Sequence, residues 1–149
     1  MELPIQIVLA SKSPRRVDLL TQLLDHEFGE GVVTFAIYPP NIDETPLADE
    51  TPIAHVQRLA VAKSHAVALR HNNAAVIIAA DTTVDLDGKI FGQPADEQDA
   101  RTMLSELSGR THQVHTAVAV VHLVRAVPLQ QAEAAQLVWW LSRLNTVPI

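Results

Sequence analysis

Chemistry in this chain would need a fixed acid and a group of cations, and the sequence holds both. Residues 74–80 read AAVIIAA, and the apolar run stops at Asp81. A run of that length fits a strand buried on both faces, although a buried helix segment has the same pattern. A carboxylate at the end of a buried strand is costly unless it is paired, hydrated or bound to a metal. Asp81 is therefore the first candidate for catalysis. Ser11-Lys12-Ser13-Pro14-Arg15-Arg16 follows a separate apolar run, residues 5–10. It offers hydroxyls, free backbone N–H groups, the positive end of a helix dipole and three basic side chains. That is the chemistry of a phosphate cradle. A capped helix start with solvated arginines has the same pattern. Lys63 lies near an apolar stripe, where a lysine ordinarily buries its stem and keeps its amine in water.

These residues need elements to hold them. Ser13 is a suitable N-cap and Pro14 suits the first helical position. Leu19, Leu20, Leu23 and Leu24 then give an apolar face at helical spacing. Residues 32–38 read as a strand closed by Pro39-Pro40. The loop over 39–52 holds Asp43, Glu44, Asp49 and Glu50, and an acidic loop is ordinarily solvated. Thr51-Pro52 opens a second helix whose apolar face is Val56, Leu59, Ala60 and Val67, with Lys63 beside it. After Asp81, Asp87-Gly88 reads as a tight hairpin turn, and the chain returns through residues 89–91 to Gly92-Gln93-Pro94. Asp96 caps a third helix over 97–107, ended by Gly109. Residues 110–124 form a long strand. His112 and His115 would face opposite sides of it, which makes them a poor metal pair. Residues 129–144, rich in Ala, Gln and Leu, read as a last helix.

At 149 residues, 48% hydrophobic and 19% charged, the chain is expected to form one domain over 1–149. A net charge of −6 argues against a general nucleic-acid binder. The absence of cysteine excludes disulfides and thiolate metal sites and suits a reducing compartment. Neither a signal peptide nor a membrane-length apolar stretch is visible.

The order of these motifs resembles the Maf family, the septum-formation-protein relatives that act as nucleoside triphosphate pyrophosphatases. The matching pieces are LASKSPRR at 9–16, Asp43-Glu44, residues 59–63, Ala80-Asp81-Thr82 and Leu86-Asp87-Gly88. Asp99-Ala100-Arg101 and the run from Leu107 through His112 to Thr116 complete the set. The resemblance covers residues 5–120. It implies a mixed α/β fold, a curved sheet flanked by helices like that of inosine triphosphate pyrophosphatases, with two lobes around a cleft. The implied activity hydrolyses a nucleoside triphosphate to the monophosphate and pyrophosphate. The SPRR pattern is associated with dTTP and UTP, and modified pyrimidine nucleotides are a further expectation.

By motif position, Asp81 is the general base. Ser11, Ser13, Arg15, Arg16, Lys63 and Thr82 bind substrate, with Arg15 and Thr82 at positions linked to substrate choice. Glu44 and Asp81 offer the hard oxygens that suit a divalent cation, Mg²⁺ by expectation and Mn²⁺ as an alternative. A cytoplasmic enzyme is implied, with no nucleic-acid polymer or membrane as partner and a homodimer as a further expectation. Two departures stand out. Gln93 replaces the usual lysine of the Gly-x-Pro step, and residues 125–149 lack the Ala-Gly-x-Tyr and Ile-Gln-Gly segments. That ending reads as truncated, frame-shifted or divergent, which would remove part of the base pocket. A non-catalytic nucleotide-binding homologue and a house-cleaning pyrophosphatase for modified purine nucleotides are the alternatives.

Overall fold

A computed structural model describes residues 5–123 and 135–141, the latter in backbone only. Nine elements follow in order: β1 (Gln6–Ala10), α1 (Pro14–Phe28), β2 (Phe35–Ile37), α2 (Pro52–Ala68), β3 (Ala75–Leu86), β4 (Lys89–Phe91), α3 (Glu97–Leu107), β5 (Gln113–Leu123) and β6 (Ala135–Leu141). The strands form one mixed sheet in the order β2-β1-β3-β5-β6, with β4 attached to β3. β1 runs parallel to both of its neighbours. β3, β4, β5 and β6 pair antiparallel. The expected mixed sheet flanked by helices is thus present.

Alternation along β3 assigns the two faces. Ala75, Ile77 and Ala79 pack with Val67 of α2, alongside Val8, Ala10 and Val121. Val56 and Ala60 of α2 pack on Ala117 and Ala119 of β5. On the opposite face, Ile78 joins Leu9, Leu20 and Leu24, so α1 covers that side. Each fully buried Val, Leu or Ile here contributes about 1.5–3 kcal/mol relative to exposure. Ile77, with no exposed surface, is a position where truncation to Ala would cost about 2–5 kcal/mol.

Several expectations meet corrections. β3 does not stop at Asp81 but runs on to Leu86. The register with β5 is unbroken from Ala75↔Leu123 to Asp85↔Gln113, and that pairing carries the strand past the charge. The strand expected over 32–38 shortens to Phe35–Ile37, the part that pairs with β1. Leu20 and Leu24 are buried, but Leu19 and Leu23 are 64% and 55% exposed, because the sheet meets only one stripe of α1. Of the helix expected over 129–144, residues 135–141 are instead β6, registered on β5 from His122↔Ala135 to Thr116↔Leu141. The rest of that expected helix lies outside the described residues. Strand pairing decided this case over local propensity.

Candidate functional site

The site follows from how the long strand β3 is shared. β5 occupies one edge of β3 from Ala75 to Asp85. The other edge is taken by β1 over Ala75–Ala79 and by β4 over Val84–Leu86. Among the described residues, 80–83 have no strand partner on that edge. Asp87 and Gly88, both with positive φ (52° and 87°), form the expected two-residue turn. Such a turn makes Leu86 and Lys89 a hydrogen-bonded pair, so even-numbered residues of β3 direct their N–H and C=O toward β4 and β1. The backbone of Thr82 therefore points into the unpaired edge. β1 ends beside this gap, at Ala10↔Ala79, and delivers residues 11–16 to it.

Asp81 and Thr82 project to opposite faces of the sheet, and a cation meets each. On the α2 side, Lys63 Nζ donates to Asp81 Oδ1 at 2.6 Å and lies 3.2 Å from Glu44 Oε1. The side chains of Lys63 and Asp81 are only 8% and 9% exposed, whereas that of Glu44 is 57% exposed. The amine of Lys63 is thus not in water, contrary to expectation. Its stem lies in the stripe of Val56, Leu59, Ala60 and Val67, all buried, and its head has two carboxylates to meet. On the α1 side, Arg16 Nη2 donates to Thr82 Oγ1 at 3.3 Å, and that hydroxyl is 3.0 Å from Thr116 Oγ1. Burial lowers the pKa of Arg16 from its ordinary value; Asp81 and Glu44 oppose the shift and Arg15 adds to it. Arg16 therefore feels both carboxylates from the far face.

The turn before α1 is built differently from expectation. Ser13 occupies the N-cap but makes no side-chain cap. Ser11, 3% exposed, instead accepts the Ser13 N–H at 3.1 Å through its Oγ. Lys12 and Arg15 are exposed. Ser11, Arg16, Glu44, Lys63, Asp81 and Thr82 thus surround the β3 gap, and Ser13 and Arg15 adjoin it by chain continuity. Glu44 and Asp81 both meet the Lys63 ammonium, at 3.2 and 2.6 Å, and both offer the hard oxygens that suit a divalent cation. Among the described residues no group of three or more His, Asp or Glu side chains is placed to hold a metal. An ion here would take these two carboxylates and complete its shell from phosphate oxygens and water, as Mg²⁺ commonly does.

Other acids are committed elsewhere. Asp85 accepts the Gly88 N–H at 2.8 Å and meets His115 Nε2 at 2.9 Å. His115 is therefore not an ordinary strand residue; it is 4% exposed and paired. Asp87 is held by Arg110. Sequence reasoning missed a cluster formed by Glu50, His55 and Arg58. Glu50 was expected in solvent, yet its side chain is 6% exposed and bound by Arg58 and His55. The available signal was the spacing of His55 and Arg58, three apart on one helix face just after the acidic loop.

A family model described as Maf-like protein matches residues 6–141. Relatives described as dTTP/UTP pyrophosphatase are similar to this chain. One from Myxococcus xanthus is 49% identical over 114 residues, 76% of this chain and 54% of that protein. One from Shewanella denitrificans is 50% identical over 122 residues, 80% of this chain and 60% of the relative. One from Bacillus mycoides is 39% identical over 135 residues, 91% and 65% of the two chains. The chain spans 54–65% of the length of these relatives. A solved nucleoside-triphosphatase / dITP/XTP pyrophosphatase from Mycobacterium abscessus covers 93% of this chain and 74% of its own, with a TM-score of 0.46 and 18% identity. That likeness is too slight to carry an argument.

Proposed function

The chain belongs to the Maf-like protein family, and from that membership we propose that it is a nucleoside triphosphate pyrophosphatase acting on dTTP and UTP in the cytoplasm. The observation that supports this most is the convergence of Asp81, Glu44 and Lys63 beside the unpaired edge of β3. The names of its relatives point to the same substrates. Among the described residues no helix is long and apolar enough to cross a membrane.

In this reading the triphosphate lies along the gap. The N–H groups opening α1, with Arg16 and Lys63, bind its phosphate oxygens. Asp81 takes a proton from the attacking water as the water adds to the α-phosphorus. The bond from that phosphorus to the α,β-bridging oxygen then breaks, releasing pyrophosphate and the monophosphate. The antiparallel pairing of β3 with β5 holds Asp81 on rigid backbone, and Lys63 fixes the carboxylate's orientation. Arg15 and Thr82 face the end of the substrate that carries the base. Glu44 and Asp81 would hold a divalent cation, whose chemistry is to neutralise charge on the phosphate oxygens.

Pyrophosphate release with Mg²⁺ is the test, run over dTTP, UTP, CTP, GTP, ITP and ATP. The expected result is release from dTTP and UTP that falls about 10²- to 10⁴-fold in Asp81→Asn, with an unchanged circular dichroism spectrum. No release from any nucleotide by the folded chain would end the catalytic reading and leave nucleotide binding. A preference for ITP would move the substrate class to modified purines.

A further inference from the structure

Glu44 reaches the site from an exposed loop, and its own contacts do not explain why it stays there. Its side chain is 57% exposed and meets Lys63 at 3.2 Å, a contact that water readily replaces. The residues on either side of it are fixed. Asp43 Oδ1 accepts both the N–H (2.9 Å) and the hydroxyl (2.6 Å) of Thr45. The carbonyl of Thr45 accepts from Arg58 Nη2 at 3.1 Å. Arg58 also grips Glu50 with two donors, Nε to Oε1 at 2.6 Å and Nη2 to Oε2 at 2.9 Å. Glu50 Oε2 further accepts the Leu47 N–H at 3.0 Å and meets His55 Nδ1 at 2.9 Å.

The loop over 43–50 is thereby fastened to the first two turns of α2 chiefly through the Glu50 carboxylate, with the Thr45 carbonyl on Arg58 as a second point. We propose that Glu50 is a positioning residue, which through Arg58 and His55 sets the 43–50 loop so that Glu44 stands against Lys63 and Asp81. The inference rests on the pyrophosphatase reading only for what Glu44 does once in place. The hydrogen bonds from Arg58 hold the Glu50 carboxyl well below the usual carboxylate range, with Leu47 and His55 adding to the effect and burial opposing it. The fastening therefore stays charged at neutral pH. A bidentate arginine–carboxylate pair also fixes direction as well as distance.

Glu50→Gln is the test, with Thr51→Ala as control. Thr51 caps the same helix one residue away, its hydroxyl accepting the Ala54 N–H at 3.2 Å; its carbonyl accepts the His55 N–H, a backbone bond that Thr51→Ala keeps. Hydrogen exchange is read first. In Glu50→Gln the amides of Thr45 and Leu47 exchange faster while those of α2 stay protected; in Thr51→Ala the loop keeps its wild-type rate. Magnesium dependence of pyrophosphate release is read second. Glu50→Gln raises the half-saturating Mg²⁺ concentration by roughly 10- to 100-fold. Glu44→Gln/Glu50→Gln is no worse than Glu44→Gln, because the loop then has nothing to position.

Loop exchange unchanged in Glu50→Gln overturns the proposal. So does a common response in Glu50→Gln and Thr51→Ala, which would mean that Glu50 only stabilises the helix. Additive losses in the double variant would also overturn it. If the wild-type chain releases no pyrophosphate, the catalytic reading falls by itself and the exchange comparison still decides the role of Glu50.

Discussion

Helix α2 carries two clusters of charge, and they are built on opposite principles. Near its start, Glu50 is met four times: by Arg58 at Oε1, and by Arg58, the Leu47 N–H and His55 at Oε2. Further along, the arrangement inverts. One ammonium, Lys63, serves two carboxylates, one buried and one largely exposed. The first cluster leaves little hydrogen-bonding capacity unused. In the second, among the described residues, Lys63 alone meets Asp81 and Glu44, beside a strand edge that β1 and β4 do not cover. A buried ion pair is only weakly stabilising in itself, since desolvation offsets the attraction. An incompletely satisfied one therefore calls for a reason other than stability. The contrast separates a cluster that holds chain in place from one that waits for phosphate or metal.

The sharpest way to break the contrast is to remove Lys63. Lys63→Met leaves Asp81 buried without its partner, and stability should fall by about 3–5 kcal/mol. Adding Asp81→Leu should restore most of that loss, because an apolar pair of similar volume no longer carries an uncompensated charge. Glu44 costs little in the double variant, since water already reaches it. Urea unfolding of the two variants checks this, with pyrophosphate release in parallel. A stable double variant that turns over nothing is the expected outcome. Equal instability of both would show that the pair is needed for folding and would erase the distinction.

A smaller effect tests the other acid on the same face. Asp85 is tied to the Gly88 amide and His115, so it belongs with the holding groups despite lying near Asp81 along the strand. Asp85→Ala should cost about 1–3 kcal/mol by leaving a buried imidazole without its partner. Turnover should persist, in contrast to Asp81→Asn. Loss of turnover with intact stability would place Asp85 in the reaction instead.

What could be read from the chain divides along the same line. The start of α1 at Pro14, the Thr51 and Asp96 caps and the Asp87-Gly88 turn were legible, because their signals lie within a few residues. The buried stripe of α2 was legible from its spacing. Asp81, Glu44 and Lys63 were legible from the residues alone only as types, while the family resemblance implied that they line one site. They come from a loop, a helix and a strand, and only the docking of α2 on β3 brings them together. β6 was misread because Ala, Gln and Leu allow a helix, whereas the edge of β5 selects a strand. Glu50 was misread because position in an acidic loop says nothing about partners that come later in the helix.

The subtlest test of the comparison is a slope with pH. The pKa of Glu50 is depressed in the folded chain, chiefly by its hydrogen bonds from Arg58, against an ordinary value of 4.5. A group shifted in that direction stabilises the fold fully above its unfolded pKa and loses that contribution as pH falls toward its folded one. The stability gap between wild type and Glu50→Gln should thus be constant from neutral pH down to about pH 5.5. Below that it should narrow steadily, because protonation gives the wild-type side chain the neutral character that Gln already has. His55 faces the same carboxylate, so Glu50→Gln/His55→Gln is compared with His55→Gln to remove its titration from the difference. Chemical denaturation at several pH values measures both gaps. A gap that stays flat into acid would show that Glu50 holds the loop by shape and neutral hydrogen bonds alone, and the two clusters on α2 would then differ in geometry rather than in the use of charge.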